Sequence, residues 1–316
     1  MNLSLLRFTF SALILFLPIC SDKIPLHAQS TSKSDSDLIT LTVTVRVRSG
    51  EYATGLNRET FQILEEKEVR PIEFFEGGED PCSVAILIDT SASMQLFENK
   101  DVARPAAIGE ALSEMLAAGD SRNEYLLAAF DRNVRFLTDW KSSQALLAEK
   151  TPIGQEGTNT AMYDACFAAI EKLGTSHHAR KVLILISDGE DNLSKHTFKE
   201  LRELLKKSDV TLYAIGIHTP TDVGSALAME GQGILAELSG VSGGQALFPR
   251  DKKELKEVMN LVVTQLRHQY RLGFQPNKSD VPNKWHRITV RIALPANAPP
   301  EFKKLNIQTR QGYYTH

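Results

Sequence analysis

The chain has 316 residues, 42% of them apolar and 24% charged, with a formal net charge of −3. That length accommodates two domains, or one with substantial additions, and the composition is that of an ordinary globular protein. The charge balance leaves no basic footprint for nucleic acid, so a nucleic-acid partner is not expected.

At the N-terminus, Arg7 precedes FTFSALILFLPIC (8–20), an apolar run too short to span a bilayer comfortably as a helix. A basic residue, a short apolar core and a polar stretch ending near Ala28 form the pattern of a secretory signal peptide. Residues 1–28 are therefore read as a signal peptide, which implies a periplasmic or secreted protein with no membrane span after its removal. A retained anchor is the alternative, and Ile19 is bulkier than the residue normally required before a lipidated cysteine. Residues 29–37, containing STSKSDSD, read as a polar, disordered linker. Cys82 and Cys166 then remain, and they read as two buried free thiols rather than a disulfide. His177-His178 reads as a solvated turn.

In LITLTVTVRVRS (38–49), apolar and polar residues alternate with many β-branched ones, predicting a half-buried strand. FQILEE (61–66) and PIEFFEG (71–77) predict two more, joined by a charged turn. The middle of the chain has a different rhythm. SVAILID (83–89), KVLILIS (181–187) and VTLYAIGI (210–217) are continuous apolar runs, as strands covered on both faces require. Between and after them come helical patterns over 103–119, 160–174, 196–207, 225–239 and 251–269. NEYLLAAF (123–130) and VRFLTDW (134–140) flank a tight turn at 131–133, and QALFP (245–249) predicts a last short strand.

Apolar strands alternating with helices predict a Rossmann-like, doubly wound, mostly parallel α/β sheet. It is assigned to 81–267. After residue 268 the strand pattern returns in YRLGFQP, HRITVRIAL and LNIQTRQGYY. Neither the N-terminal β segment, 38–80, nor the C-terminal one, 268–316, can bury an apolar face alone. The two are expected to combine into a β-sandwich-like domain with the α/β domain inserted between them.

Ligands of such sheets bind at the carboxyl edge of the strands. Two strand ends there carry oxygen donors: Asp89-Thr90-Ser91-Ala92-Ser93 after SVAILI, and Ser187-Asp188-Gly189-Glu190-Asp191 after KVLILI. Gly157-Thr158-Asn159-Thr160 opens the helix between them. Carboxylate and hydroxyl oxygens suit a hard divalent cation, with Mg²⁺ first and Mn²⁺ or Ca²⁺ as alternatives. Asp131 reads as a turn former and Asp164 as a first-turn helix carboxylate, with orientation of the site as the alternative for Asp164. Glu190 and Asp191 read as a solvated turn, with a second ion beside the first as the alternative, and Trp140 and Trp285 as core or interdomain contacts.

DxSxS at the first strand end, with SDG and GTNT in these positions, resembles the metal-ion-dependent adhesion site of von Willebrand factor A domains. The likeness implies direct cation ligands in Ser91 and Ser93, with Asp89 and Asp188 holding the ion partly through water. A threonine completes the set. GTN points to Thr158, whereas the register of TAMYDA points to Thr160, which is preferred. LTVTVRV, TGLNRETFQILEE, IEFFEG and the tail YRLGFQP…WHRITVRI…RQGYY resemble the flanks of a group of bacterial von Willebrand factor A-related proteins. That group supplies a fold and not a ligand; it is the adhesion-site likeness that implies a non-enzymatic adhesion or assembly module whose protein partner offers a carboxylate to the metal. Two alternatives stand beside it: a metal-dependent hydrolase or phosphotransfer enzyme with Asp89 as nucleophile, and a non-catalytic scaffold.

Overall fold

The computed structural model describes residues 38–78, 80–95, 104–149, 153–154, 157–218, 224–277, 281–294, 302 and 304–315. The signal peptide and linker expectations lie outside the described residues.

The N-terminal flank holds four strands: β1 (Ile39–Val47), β2 (Phe61–Glu65), β3 (Glu68–Arg70) and β4 (Phe74–Gly77). The charged turn joins β2 to β3, a strand the sequence pattern did not reveal. Glu66 and Lys67 both take positive φ, 47° and 79°, the backbone that matches a two-residue hairpin to the twist of its strands. Glu66 has outside support, because its N–H donates to Arg287 O at 3.0 Å and its Oε1 accepts from Arg287 N–H at 2.8 Å. The predicted strand at 71–77 starts only at Phe74 and belongs to a different sheet from β2.

Then follow β5 (Cys82–Asp89), α1 (Arg104–Ala118), β6 (Glu124–Phe130), β7 (Val134–Phe136), β8 (Lys141–Ser142) and α2 (Ser143–Glu149). Here the reading of 134–140 as one strand fails. The strand ends at Phe136, and the short β8–α2 unit follows, too brief to show a periodicity. Next come α3 (Met162–Leu173), β9 (Arg180–Ser187), α4 (Phe198–Lys207), β10 (Val210–Gly216), α5 (Ala226–Val241), β11 (Ala246–Leu247) and α6 (Lys252–Arg267). The chain closes with β12 (Gln269–Phe274), β13 (Trp285–Ile292), β14 (Leu305–Gln308) and β15 (Gly312–Tyr314).

One sheet has the order β11-β10-β9-β5-β6-β7, parallel from β11 to β6, with β7 and β8 paired antiparallel to β6. Successive side chains of a strand point to opposite faces, so β5 feeds two cores. Val84, Ile86 and Ile88 pack with Leu112, Met115, Met259 and Val262 of α1 and α6. Ala85 and Leu87 pack with Met162, Ala169, Leu201 and Leu235 of α3, α4 and α5. This double burial is why the strand reads as an uninterrupted apolar run. Cys82 and Cys166 are buried free thiols, one in each core.

The flanks form two antiparallel sheets, β14-β1-β12-β4 and β15-β13-β2-β3. Each sheet takes strands from both ends of the chain. They close on one core that includes Leu41, Val43, Ile63, Leu272, Phe274, Ile288 and Tyr313. Within it Glu65 is fully buried. It accepts from Arg70 Nε at 2.7 Å, Asn277 N–H at 3.2 Å and the Tyr313 hydroxyl, and His286 Nδ1 lies 3.2 Å away.

A buried polar seam joins the sandwich to the amino edge of the parallel sheet. Arg180, the first residue of β9, donates to Leu266 O at 2.6 Å and Gln269 Oε1 at 2.9 Å. Gln269 Nε2 donates to the Tyr213 hydroxyl at 2.6 Å, and Gln265 Nε2 to Thr44 Oγ1 at 3.2 Å. Trp285 and Tyr314 pack edge to face, with Lys206 of α4 over the Trp285 ring. Trp285 is thus a contact between the layers, whereas Trp140 packs against the core under α3.

Candidate metal centre

β5 and β9 are adjacent and parallel, with Ile88 opposite Ile186, so Asp89 and Ser187 emerge side by side at the carboxyl edge. Asp89 is buried. Its Oδ1 accepts the Ser91 N–H at 2.9 Å, and its Oδ2 accepts the Ser187 hydroxyl at 2.7 Å. The Ser91 bond spans two residues and folds the chain into a tight Asx-type turn, followed by a 3-10 turn over Ala92–Gln95. That turn brings Ser91 Oγ and Ser93 Oγ to 3.1 Å. Asp188, also buried, makes the equivalent turn on β9 by accepting the Glu190 N–H at 2.9 Å, while the Gly189 N–H donates to Ser187 Oγ at 3.1 Å.

The Asp188 carboxylate acts on Asp89. Burial first, and then the Asp188 charge, push the Asp89 carboxyl up to about 7. Among the described residues neither carboxylate has a Lys, Arg or His partner. Adjacent buried acids without a cation are unfavourable, and a divalent cation offsets both charges at once. The donor set therefore fits such an ion. No group of three or more His, Cys, Asp or Glu side chains suited to a metal occurs among the described residues, so an ion here depends on the serine and threonine hydroxyls to fill its shell.

The third loop separates the two threonines. Thr158 is exposed, whereas Thr160 is 2% exposed. Thr160 is clamped to the β9–α4 loop. Its N–H donates to Asn192 Oδ1 at 2.9 Å, and its carbonyl accepts the Asn192 and Leu193 N–H groups at 3.0 and 3.1 Å. Asp131 sits beneath the same loop: its carbonyl accepts the Ala161 N–H at 2.7 Å, and Oδ2 pairs with Arg135 at 3.1 Å. It forms its turn as expected, through Asn133 N–H to Oδ1 at 3.0 Å, and also holds the loop.

Three neighbouring residues add to the sequence reading, and only Asp191 contradicts it. Asp191 is half-buried, not part of a solvated turn. It accepts the Tyr163 N–H at the start of α3 at 2.9 Å and the Ser194 hydroxyl at 2.6 Å. Asp164 binds the backbone N–H groups of Lys195 and His196 at 3.0 and 2.9 Å, so it ties down the next loop. Asn192 was not singled out at all; a side-chain amide after DGED carries no spacing signal of its own.

Glycine permits the closest approach in the site. Gly189 has φ +88°, and a Cβ on Gly231 of α5 would lie 2.3 Å from Asp188 O. The SDG loop thus rests directly on the α5 backbone. A cleft of about 960 Å³, lined by Cys82, Tyr125, Arg180 and Arg267 among others, contains none of the candidate ligands; it lies at the amino edge and is not the centre of this chemistry.

The solved structures that are similar include the vWF domain of the type V pili tip protein Mfa5 from Porphyromonas gingivalis, at 15% identity and a TM-score of 0.45, covering 58% of this chain and 94% of that one. An aerotolerance-related membrane protein from Bacteroides fragilis has 14% identity and a TM-score of 0.47, covering 58% and 98%. Proximal thread matrix protein 1 from the mussel byssus, described with a zinc-occupied MIDAS motif, has 15% identity and a TM-score of 0.49, covering 65% and 50%. No curated protein matches the sequence. The family model described as von Willebrand factor type A domain matches residues 83–260, more than half of the chain. The chain belongs to the von Willebrand factor type A domain family.

Proposed function

We propose that this protein is a non-catalytic binding module of adhesion or assembly type, exported to the periplasm or beyond, whose carboxyl-edge site holds a divalent cation and through it a protein partner's carboxylate. The observation that carries the reading is the pair of buried acids, Asp89 and Asp188, flanked by the Ser91 and Ser93 hydroxyls and lacking a basic partner among the described residues. Ser91, Ser93 and Thr160 would supply neutral oxygens, and Asp89 and Asp188 the charge. Mg²⁺ fits this set, as do Mn²⁺ and Ca²⁺. The bound ion supplies an electrophilic position that an anionic group can occupy.

Both Asp89 oxygens already accept hydrogen bonds within a buried turn, which suits a positioning role better than nucleophilic attack. No helix among the described residues is long and apolar enough to cross a membrane.

Ligand binding to the folded state alone raises stability by about 2.7 kcal/mol at one hundred times Kd, so chemical denaturation with and without Mg²⁺ tests the reading. Thr160→Val should weaken Mg²⁺ binding about 10-fold or more, and Thr158→Val should leave it unchanged. Equal effects of the two variants would remove Thr160 from the ligand set.

A pH dependence follows from Asp89. Its folded-state value is raised from 3.8 to about 7, so the cation-free folded protein takes up a proton there. The stability associated with that proton is present at low pH and is lost as pH rises from about 4 through 7. A cation competes with the proton. Mg²⁺ affinity should therefore rise between pH 5.5 and 7.5 and level off above, as read by calorimetry at several pH values. A flat profile would show that Asp89 is already ionised without metal.

A further inference from the structure

The cleft of about 960 Å³ at the amino edge lies at the other end of the strands from the candidate metal centre. The last turns of α1 and α6 wall it on one side, and the β1–β2 and β4–β5 connections close it from the sandwich. Its floor is aliphatic. Val84, Met115 and Ile184 are at most 1% exposed, and Val263 and Leu266 of α6 are slightly more open at 8% and 6%. The mouth is polar. A dry apolar floor beneath a few placed polar groups is the build of a small-molecule site, and the volume falls within the roughly 300–1,000 Å³ of such sites.

The ionic groups at the mouth do not cancel. Asp120 pairs with Arg122 at 2.6 Å, and its carboxyl is held below its usual value first by Arg122 and only last by Arg267. Asp80 lies 3.6 Å from Arg271, which also pairs with Glu76 at 2.6 Å. Burial pushes the Cys82 thiol up to about 11 and the Tyr125 phenol up to about 12, so both are neutral. His268 stacks on Tyr52. Two guanidiniums are left. Arg180, itself buried, donates to the carbonyls of Asp80 and Leu266 and to Gln269 Oε1, and Arg267 donates to the Ala118 carbonyl. All of these acceptors are neutral, and neither arginine has a carboxylate partner among the described residues. Leu266 and Ala118 stand in the last turns of α6 and α1, and each helix end offsets roughly half a unit of positive charge. Two guanidiniums against two such ends leave about one positive charge unbalanced. A buried charge without a partner of opposite sign is unfavourable, and one entering carboxylate supplies that partner.

We infer that the amino-edge cleft is a second binding site, for a small amphiphilic monoanion whose carboxylate pairs with Arg267 and Arg180 and whose short aliphatic chain lies on Val263 and Leu266. This site shares no residue with the carboxyl edge and needs no cation, so it stands or falls apart from the reading above.

Calorimetric titration of octanoate into the folded chain in EDTA tests it, beside octanol, octylammonium and acetate. Octanoate should bind saturably and one to one. Octanol carries the chain without the charge and acetate the charge without the chain, so each should bind at least about 10-fold more weakly. Octylammonium, of the wrong sign, should not bind. Arg267 is exposed, and Arg267→Gln keeps a hydrogen-bond donor for the Ala118 carbonyl, so the variant should fold. It should weaken octanoate about 10-fold or more, the worth of a hydrogen bond to a charged group, and leave octanol unchanged. Asp89→Ala should bind octanoate as the parent does, which separates the cleft from the carboxyl edge. No saturable octanoate binding, octanol binding as tight as octanoate, or an Arg267→Gln chain that keeps the parent's octanoate affinity each overturns the inference.

Discussion

Gly231→Ala should weaken Mg²⁺ binding by about 10–100-fold, the usual range for a residue that positions metal ligands without touching the metal. The cause is steric. The added Cβ would lie 2.3 Å from Asp188 O, and that atom belongs to backbone that no side-chain rotation can clear. Gly189 cannot yield either, since at φ +88° its own Cα is part of the contact. The SDG loop must move, and Asp188 moves with it. Gly233→Ala on the same helix is the control, because a Cβ there meets nothing within 4 Å. Alanine is favoured over glycine in a helix by about 1 kcal/mol, so Gly233→Ala should stabilise the fold slightly and leave the cation affinity unchanged. The two substitutions are chemically identical and should differ in sign for stability. Calorimetric titration beside urea denaturation measures both, and parallel behaviour of the pair would mean that α5 does not position the loop.

Glu65→Ala should destabilise the protein by about 3–5 kcal/mol, the cost of removing one partner from a buried charged network. Arg70, Tyr313 and the Asn277 N–H all direct hydrogen bonds at this one carboxylate. Without it a guanidinium and a hydroxyl lose their acceptor inside the sandwich. Glu65 lies on β2, Tyr313 on β15 and Arg70 on β3, so the network spans both ends of the chain. The urea midpoint should fall without a change in slope, while Mg²⁺ affinity of the folded molecules stays the same. A loss below about 1 kcal/mol would show that packing of Leu41, Ile63 and Phe274 holds the flanks together with little help from Glu65.

The fold was legible where a residue pattern answers to a single physical demand. Strands covered on both faces must be apolar throughout, and SVAILID, KVLILIS and VTLYAIG stand out for that reason. The pairing of the two flanks followed from a shortage: neither had enough surface to bury alone, and β1 indeed pairs with β12 and β14. Short units escaped. β3 has three residues and β8 has two, lengths at which alternation has no meaning. Glu66-Lys67 hid a two-residue hairpin because its positive φ values fall on side chains that do not advertise them.

At the candidate site, the legible residues were those in fixed local spacing, Asp89, Ser91, Ser93 and Asp188. Thr158 and Thr160 could not be separated from sequence by spacing alone. Their burial differs because of Asn192, which lies thirty-two positions from Thr160 and clamps only that threonine. Asp191, read as part of a solvated turn, was misjudged for the same reason, and Asp164, which does lie in the first turn of its helix, does more than that position alone implies. A carboxylate near a helix start looks like a partner for the helix dipole, and only the folded chain shows that it binds the backbone of another loop.

The measurement that bears most directly on the central claim is calorimetric titration of Mg²⁺ into the metal-stripped protein beside Asp89→Ala. Saturable one-to-one binding by the parent, abolished in a variant that still folds, is the predicted result. A folded parent that takes up no Mg²⁺, Mn²⁺ or Ca²⁺, or a variant that binds as well as the parent, would contradict it.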